Sequence, residues 1–201
     1  MMSNQNPTFT VYTGPMFGSK TSKLLMELER FKYQHKRIAV FKPQIDERYS
    51  ATDVVTHSGW SIPAIVVKSG ADILENLERL EKVAHVVAVD EAFMIPNVAE
   101  VLIWLYRNGI NIVASTLDIS ATGKPFHEVE KILVWATRVD KCAAVCTVCG
   151  KDAFYTHKKL VDEDSSEIQV GGSELYEPRC GLCHPNILNL EVLLDKKPKA
   201  V

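Results

Sequence analysis

The segment of residues 12–21 constrains the fold of this chain more than any other stretch, because it is nearly a phosphate-binding loop. Such loops follow the spacing G-x-x-x-x-G-K-[ST]. Three positions of the motif are filled, by Gly14, Lys20 and Thr21. Ser19 stands where the second glycine belongs, and Gly18 precedes it. If that position needs a positive φ, serine costs roughly 1 kcal/mol there, which is tolerable if Gly18 takes up part of the strain.

The residues on either side of this loop have the pattern that a nucleotide site needs. Residues 9–12 are β-branched and aromatic and predict a strand, and apolar residues at helical spacing follow Thr21. A strand, a loop and a helix in this order direct backbone N–H groups and the positive end of the helix dipole at an anion. We therefore expect Lys20 to reach the β- and γ-phosphates and the Thr21 hydroxyl to ligate Mg²⁺.

Composition narrows the class of protein. The chain has 201 residues, of which 46% are hydrophobic and 24% charged, which fits one medium domain or one domain with a small appendage. Its formal net charge of -2 gives no reason to expect nucleic acid or an anionic membrane as a partner. Residues 1–7 are polar and lack the apolar core of a signal peptide, and no apolar run reaches transmembrane length. We therefore expect a cytoplasmic protein.

Strands and helices alternate along the first part of the chain. Predicted strands cover residues 9–12, 37–41, 83–89 and 110–114, with an edge strand or loop at 62–67; predicted helices begin after Thr21 and cover 71–82, 98–105 and 129–136. This alternation predicts an α/β fold with a mainly parallel sheet and helices on both faces. The composition changes near residue 141, where cysteines appear. We therefore expect one domain at 1–140, a second at 141–188 and a tail at 189–201.

Acidic residues follow one of the predicted buried strands directly. Asp90 and Glu91 end an apolar run, and ligands bind beyond the carboxyl ends of parallel strands. Asp90 would reach Mg²⁺, and Glu91 could accept the proton of an attacking hydroxyl, although both acids could simply cap the next helix. Asp46 and Arg48 leave the second strand at the same edge. They are candidates for a Mg²⁺ contact and for phosphate charge, with a solvated ion pair as the alternative.

Four cysteines form two Cys-x-x-Cys pairs that are separated by a long insertion. They are Cys146, Cys149, Cys180 and Cys183. Four thiolates fit a structural, tetrahedral Zn²⁺ site, which would pin both ends of the intervening segment. Cys142 is expected to be a small buried side chain, and His184 a neighbour of the zinc ligands.

Together these motifs resemble those of the zinc-containing, cytosolic-type (type II) thymidine kinases, over about residues 9–183. The matching stretches are the phosphate loop, Lys42-Pro43 with Asp46 and Arg48, Asp90-Glu91-Ala92, Leu117-Asp118, Lys124-Pro125-Phe126, Tyr155-Thr156, Gly171-Gly172, Tyr176 and the cysteine pairs. The resemblance implies a RecA-like P-loop domain with a small zinc domain that carries a lasso loop.

The resemblance also implies an activity. ATP and Mg²⁺ would phosphorylate the 5′-hydroxyl of thymidine in pyrimidine salvage for DNA synthesis. The implied catalytic residues are Glu91 as the base, Lys20 and Arg48. The implied nucleotide and Mg²⁺ site consists of Gly14, Gly18, Ser19, Lys20, Thr21, Asp46 and Asp90. The implied nucleoside site consists of Met16, Met94, Leu117, Phe126, Thr156, Gln169, Val170, Gly171 and Tyr176. A homotetramer that is inhibited by dTTP is a further implication.

The chain departs from the family pattern at three places. Gly18-Ser19 replaces Ser-Gly, Phe93-Met94 replaces Gln-Phe, and Ala121 stands where an aromatic residue is expected. The base pocket would lose one ring and have another replaced by methionine. Either the pocket accepts a bulkier base, or Phe93 refills it, or thymidine binds weakly. A kinase for a different or 5-modified pyrimidine deoxynucleoside is thus one alternative function. A zinc-ribbon module that binds nucleotides or nucleic acid without turnover is another.

Overall fold

The computed structural model describes residues 6–187 apart from 47, 49, 57 and 160–168. The tail expected at 189–201 lies outside these residues. In the described part of the chain, each helix is too short or too polar to cross a membrane.

A six-stranded sheet forms the centre of the molecule, and all of its neighbouring strands are parallel. Its order is β5-β2-β6-β7-β1-β8. These strands are β1 (Phe9–Thr13), β2 (Ile38–Pro43), β5 (Ile65–Val67), β6 (Val86–Val89), β7 (Asn111–Thr116) and β8 (Arg138–Lys141). Because β7 lies between β1 and β6, the phosphate loop and the acidic pair follow strands that are not neighbours. This order agrees with the RecA-like arrangement.

Helices cover both faces of the sheet, as the sequence predicts. The helices are α1 (Lys20–Tyr33), α2 (Gly70–Glu78), α3 (Val98–Arg107) and α4 (His127–Trp135), with a short 3₁₀ turn at Ala92–Met94. On one face α1 packs Leu24 and Leu28 against alternate strand residues such as Val86 and Ala88. The other helices pack on the intervening residues, such as Val87. Both faces of β6 are therefore buried, which explains its continuous apolar sequence.

Several boundaries differ from the predictions. Helix α2 ends at Glu78, so Leu80 lies outside it and is 39% exposed. Strand β6 starts at Val86, because Val83 faces solvent and is 71% exposed. The predicted edge strand at 62–67 is two strands, of which β5 lies at the sheet edge as expected. Strand β8 was not predicted, since its polar sequence at the opposite edge has no apolar pattern.

Three small antiparallel hairpins complete the described structure. Strands β3 (Asp53–Val55) and β4 (Ser61–Pro63) pair beside the sheet. Strands β9 (Ala144–Val145) and β10 (Asp152–Ala153) flank the first cysteine pair, and β11 (Tyr155–Lys158) pairs with β12 (Tyr176–Arg179), which leads into the second. The two hairpins that follow β8 thus bring distant cysteines together.

Candidate active site

The phosphate loop connects β1 to α1 by a tight path. Gly14 has φ 130°, and a Cβ there would overlap the carbonyl oxygen of Cys142, so only glycine fits. Ser19 and Phe17 take left-handed backbone conformations, with φ 58° and 65°. Each such residue costs roughly 1–2 kcal/mol. Gly18 has no positive φ, so the strain lies on Ser19 and Phe17 and is not taken up by Gly18.

The start of α1 is arranged to hold an anion. Ser19, its N-cap, makes no side-chain capping bond, and the first turn contains no acidic residue. The first backbone N–H groups of the helix are therefore open to a phosphate. Lys20 is buried, and its Nζ donates a hydrogen bond of 2.6 Å to the Pro15 oxygen within the loop. Burial lowers the pKa of Lys20, against the opposing charges of Glu91 and Asp90.

Asp90 lies at the end of β6 and faces the start of α1. Its carboxylate accepts hydrogen bonds from Thr21 Oγ1, at 3.2 Å to Oδ1, and from Ser115 Oγ on the intervening strand β7. Burial and the neighbouring charge of Glu91 raise the pKa of Asp90 to about 6. A hydroxyl and a carboxylate of this kind are the oxygen ligands that Mg²⁺ takes in P-loop sites. The pair therefore fits a Mg²⁺ ion.

Arg48 connects the two other acidic residues of the site. Its Nε and one terminal nitrogen donate to both carboxylate oxygens of Asp46, at 2.6 and 3.0 Å. The same terminal nitrogen donates to Glu91 Oε1 at 2.6 Å. Burial alone would raise the pKa of Asp46, but the hydrogen bonds from Arg48 lower it. Asp46 is thus held by Arg48, and Arg48 in turn fixes one oxygen of Glu91.

The second oxygen of Glu91 has no such partner. Oε2 is buried, and no described residue donates a hydrogen bond to it. Buried carboxylate oxygens are normally hydrogen-bonded, so this one is free to take a proton from a bound molecule. Glu91 also has φ 49°, an uncommon conformation that is often found at functional sites. Glu91, Lys20, Asp90 and the Asp46–Arg48 pair line one cleft.

A buried apolar cluster lies next to this cleft, and Met16 belongs to both. Its buried residues are Phe93, Met94, Leu117, Phe126 and Val129, with Met16, Leu133 and Val170 packed against them. Five of the predicted nucleoside residues, Met16, Met94, Leu117, Phe126 and Val170, are therefore together. The centroids of the Phe93 and Phe126 rings are 4.7 Å apart, so Phe93 is part of this cluster. Ala121 lies in the turn at 120–123 and is not part of this cluster.

The remaining predicted nucleoside residues lie in the cysteine-containing part of the chain. Thr156 is buried, and its Oγ1 accepts a hydrogen bond of 3.0 Å from the backbone N–H of Met16. Tyr176 donates its hydroxyl hydrogen to the Gln169 carbonyl oxygen at 2.9 Å. Gly171 lies against Leu175, where a Cβ would overlap. The hydrogen bond from Met16 uses Thr156 Oγ1 as an acceptor, so the hydroxyl proton can still be donated.

The four predicted zinc ligands lie together. The sulfur atoms of Cys146, Cys149, Cys180 and Cys183 are all within 4.8 Å of one another. The Cys149 and Cys180 sulfurs are 3.6 Å apart. Tetrahedral Zn–S bonds of about 2.3 Å require sulfur separations of about 3.8 Å. Burial acts to raise the pKa of the Cys146 thiol. Hydrogen bonds from backbone N–H groups of the two Cys-x-x-Cys turns outweigh this and lower the pKa to about 6. The donor set therefore fits a structural Zn²⁺ ion.

Two residues of the site have no role that the sequence predicts. Ser115 holds Asp90 from β7, and Lys42 is buried and donates to the backbone oxygens of Ser50 and Asp53. Both lie at the carboxyl ends of strands, where the rule applied to Asp90 could have found them.

One comparison with known proteins bears on this site. The sequence model of the family described as "Thymidine kinase" matches residues 7–184, which include the whole cleft, the buried apolar cluster and the cysteine cluster.

Proposed function

The chain belongs to the thymidine kinase family, and from this premise we propose that it transfers the γ-phosphate of ATP to the 5′-hydroxyl of thymidine to give dTMP. The observation that carries the proposal is the buried, unpartnered Oε2 of Glu91 in the same cleft as Lys20 and Asp90. A hydroxyl bound there would lose its proton to Oε2 as it attacks the phosphorus. Arg48 would hold Glu91 in place through the other oxygen.

The other residues of the cleft have roles that follow from their charge. Lys20, released from the Pro15 oxygen, would bind the β- and γ-phosphates together with the open N–H groups of α1. Arg48 lies near enough to offset charge on the transferred group. Thr21 and Asp90 would hold Mg²⁺, which when bound neutralises phosphate charge. These roles are proposals that rest on the distances given above.

Replacement of Glu91 by glutamine tests the proposal most directly. The amide of glutamine cannot accept the proton, so Glu91→Gln should lower kcat by about 10²- to 10⁴-fold. The affinity for a non-hydrolysable ATP analogue should change little. Glu130→Gln, which alters an exposed acid on α4, is the control and should keep normal turnover. A kcat of Glu91→Gln within threefold of the parent enzyme would remove Glu91 as the base.

A second candidate substrate is a different or 5-modified pyrimidine deoxynucleoside. The contact between Phe93 and Phe126 supports this candidate. Phe93 and Met94 stand where the family pattern has glutamine and phenylalanine, which changes the space around the base. Phosphate transfer from ATP to thymidine, deoxycytidine and 5-substituted deoxyuridines separates the two. A higher kcat/KM for either rival would reassign the substrate. Nucleotide binding without transfer to any of them would support a non-catalytic module instead.

Three further properties are proposed from the family resemblance. We expect a homotetramer, inhibition by dTTP and a cytoplasmic location. Light scattering of the purified protein, activity with added dTTP and fractionation of the source cells test them separately. None of the roles assigned to individual residues depends on these outcomes.

A further inference from the structure

Two neighbouring side chains of the phosphate loop point into different parts of the molecule. Met16 packs against the buried apolar cluster around Phe93 and Phe126. Phe17 instead packs against a zinc-site cluster formed by Ala144, Cys146, Ala153 and Cys180. The loop therefore contributes an aromatic ring to the small core around the cysteines. Nothing in the phosphate-binding role of the loop requires that contact.

A hydrogen-bonded chain joins the same two regions. Met16 N–H donates to Thr156 Oγ1 at 3.0 Å, and the Thr156 carbonyl oxygen lies 3.2 Å from His184 Nε2. His184 Nδ1 accepts N–H bonds from Asn186 and Ile187, so Nε2 carries the ring hydrogen and donates to Thr156. His184 directly follows the last cysteine. The loop backbone is thus connected through one buried threonine to the second Cys-x-x-Cys turn.

The segment that leads into the zinc site also lies against the loop. The Cys142 carbonyl oxygen is so close to Gly14 that no Cβ fits, and a Cβ on Gly18 would lie 3.3 Å from the same oxygen. The loop is therefore enclosed by α1 on one side and by residues 142–156 on the other. Its two strained residues, Phe17 and Ser19, keep their left-handed conformations only while these contacts hold.

We propose that the zinc-site segment holds the phosphate loop in its nucleotide-binding conformation, with Phe17 and Thr156 as positioning residues. This rests on the proposed ATP-dependent function. Loss of the Phe17 ring would let the loop backbone relax and misalign the N–H groups that face the phosphates. Apart from Met16, the residues of the buried apolar cluster lie outside the phosphate loop. Nucleoside binding should therefore change less than ATP binding.

The first test compares Phe17→Ala with the conservative variant Phe17→Tyr and with Leu182→Ala. Leu182 is an 85% exposed apolar residue of the second cysteine turn and serves as the matched control. Each protein is loaded with zinc and its zinc content measured. For Phe17→Ala, we expect about tenfold weaker binding of a non-hydrolysable ATP analogue and a similar rise in KM for ATP. KM for the nucleoside should stay within twofold, and the other two variants should match the parent.

The second test measures amide hydrogen exchange of residues 14–21 without nucleotide. Exchange should become faster in Phe17→Ala and in Thr156→Val, which removes the acceptor for Met16 N–H, but not in Thr156→Ser. If Phe17→Ala loses its zinc, the comparison of Thr156→Val with Thr156→Ser tests the proposal instead. Unchanged exchange in zinc-loaded Phe17→Ala and Thr156→Val would overturn the inference. If the parent protein bound no ATP analogue, the proposed function would fail, and the exchange rates would still test the coupling.

Discussion

At the residue scale, the site collects backbone conformations that side chains rarely adopt. Phe17, Ser19 and Glu91 all have a positive φ, and all three line the same cleft. Their combined strain must be offset by the surrounding packing, since each costs roughly 1–2 kcal/mol. The cleft is therefore a place where stability is given up for the placement of N–H groups and a carboxylate.

Gly14 should tolerate substitution much less well than Gly59, which also has a positive φ. Gly14→Ala and Gly59→Ala both place Cβ on a positive φ, but only at Gly14 does Cβ overlap a described atom. Gly59→Ala should lower the free energy of unfolding by about 1–2 kcal/mol, and Gly14→Ala by at least ~2 kcal/mol more. Urea denaturation measures both. Equal decreases in the free energy of unfolding would show that a Cβ at position 14 does not overlap the Cys142 carbonyl oxygen.

Asp90 should make the stability of the ligand-free protein depend on pH. Its folded-state pKa of about 6 lies above the ordinary value, because of burial, Glu91 and Asp46, against Lys20 and the Ser115 hydrogen bond. The folded state therefore keeps a proton that the unfolded state has lost, and stability falls as the pH rises from about 4 to about 6. Asp90→Asn should remove this fall and gain on the order of 1–3 kcal/mol at pH 7. Denaturation at several pH values checks this, and an unchanged slope would contradict it.

At the element scale, one helix is capped by another. Asn97, the N-cap of α3, makes no side-chain capping bond, and Glu128 of α4 instead accepts the Ala99 N–H at 2.9 Å. A carboxylate at a helix N-terminus also interacts favourably with the helix dipole. The contact fixes the relative position of two helices that cover one face of the sheet.

Glu128→Gln should therefore lower the free energy of unfolding by about 1 kcal/mol, since it removes the charge and weakens the cap. Glu130→Gln, two residues away on the exposed side of α4, should change it by less than ~0.5 kcal/mol. Thermal denaturation of both variants provides the comparison. If the two losses were the same, the contact with Ala99 would not be a stabilising cap.

At the scale of the whole molecule, apolar clusters of very different size support different parts of the site. The sheet and its helices bury large apolar clusters on both faces, whereas the cysteine region buries a small cluster in which two of the four residues are cysteines. A region with so small a core would depend strongly on a metal ion bound by its four cysteines.

Removal of zinc should consequently loosen the cysteine region before the sheet. With a chelator, amide exchange of residues 144–184 should accelerate at least tenfold, while β6 and β7 remain protected. Hydrogen exchange with and without added Zn²⁺ measures this. Equal protection of both regions after verified zinc loss would show that the ion is not structural.

Local sequence rules predicted most of the fold and part of the candidate site. The strand, loop and helix around Lys20, the continuous apolar run of β6 and the spacing of the cysteines depend on neighbouring residues, so periodicity or motif spacing reveals them directly. The strand pairings confirm the predicted parallel sheet, which has helices on both faces. The match to the family model confirms the resemblance to the thymidine kinase family.

The tertiary structure alone decided the contacts between residues far apart in the chain. These are the edge strand β8, the hydrogen bond from Ser115 to Asp90, the link from Asp46 through Arg48 to Glu91, and the packing of Phe17 on the cysteine cluster. Such contacts depend on strand order and loop path, which no local pattern encodes. The sequence by itself therefore determined which chemical groups the protein has, and the fold determined which oxygen of Glu91 is free and what holds the phosphate loop.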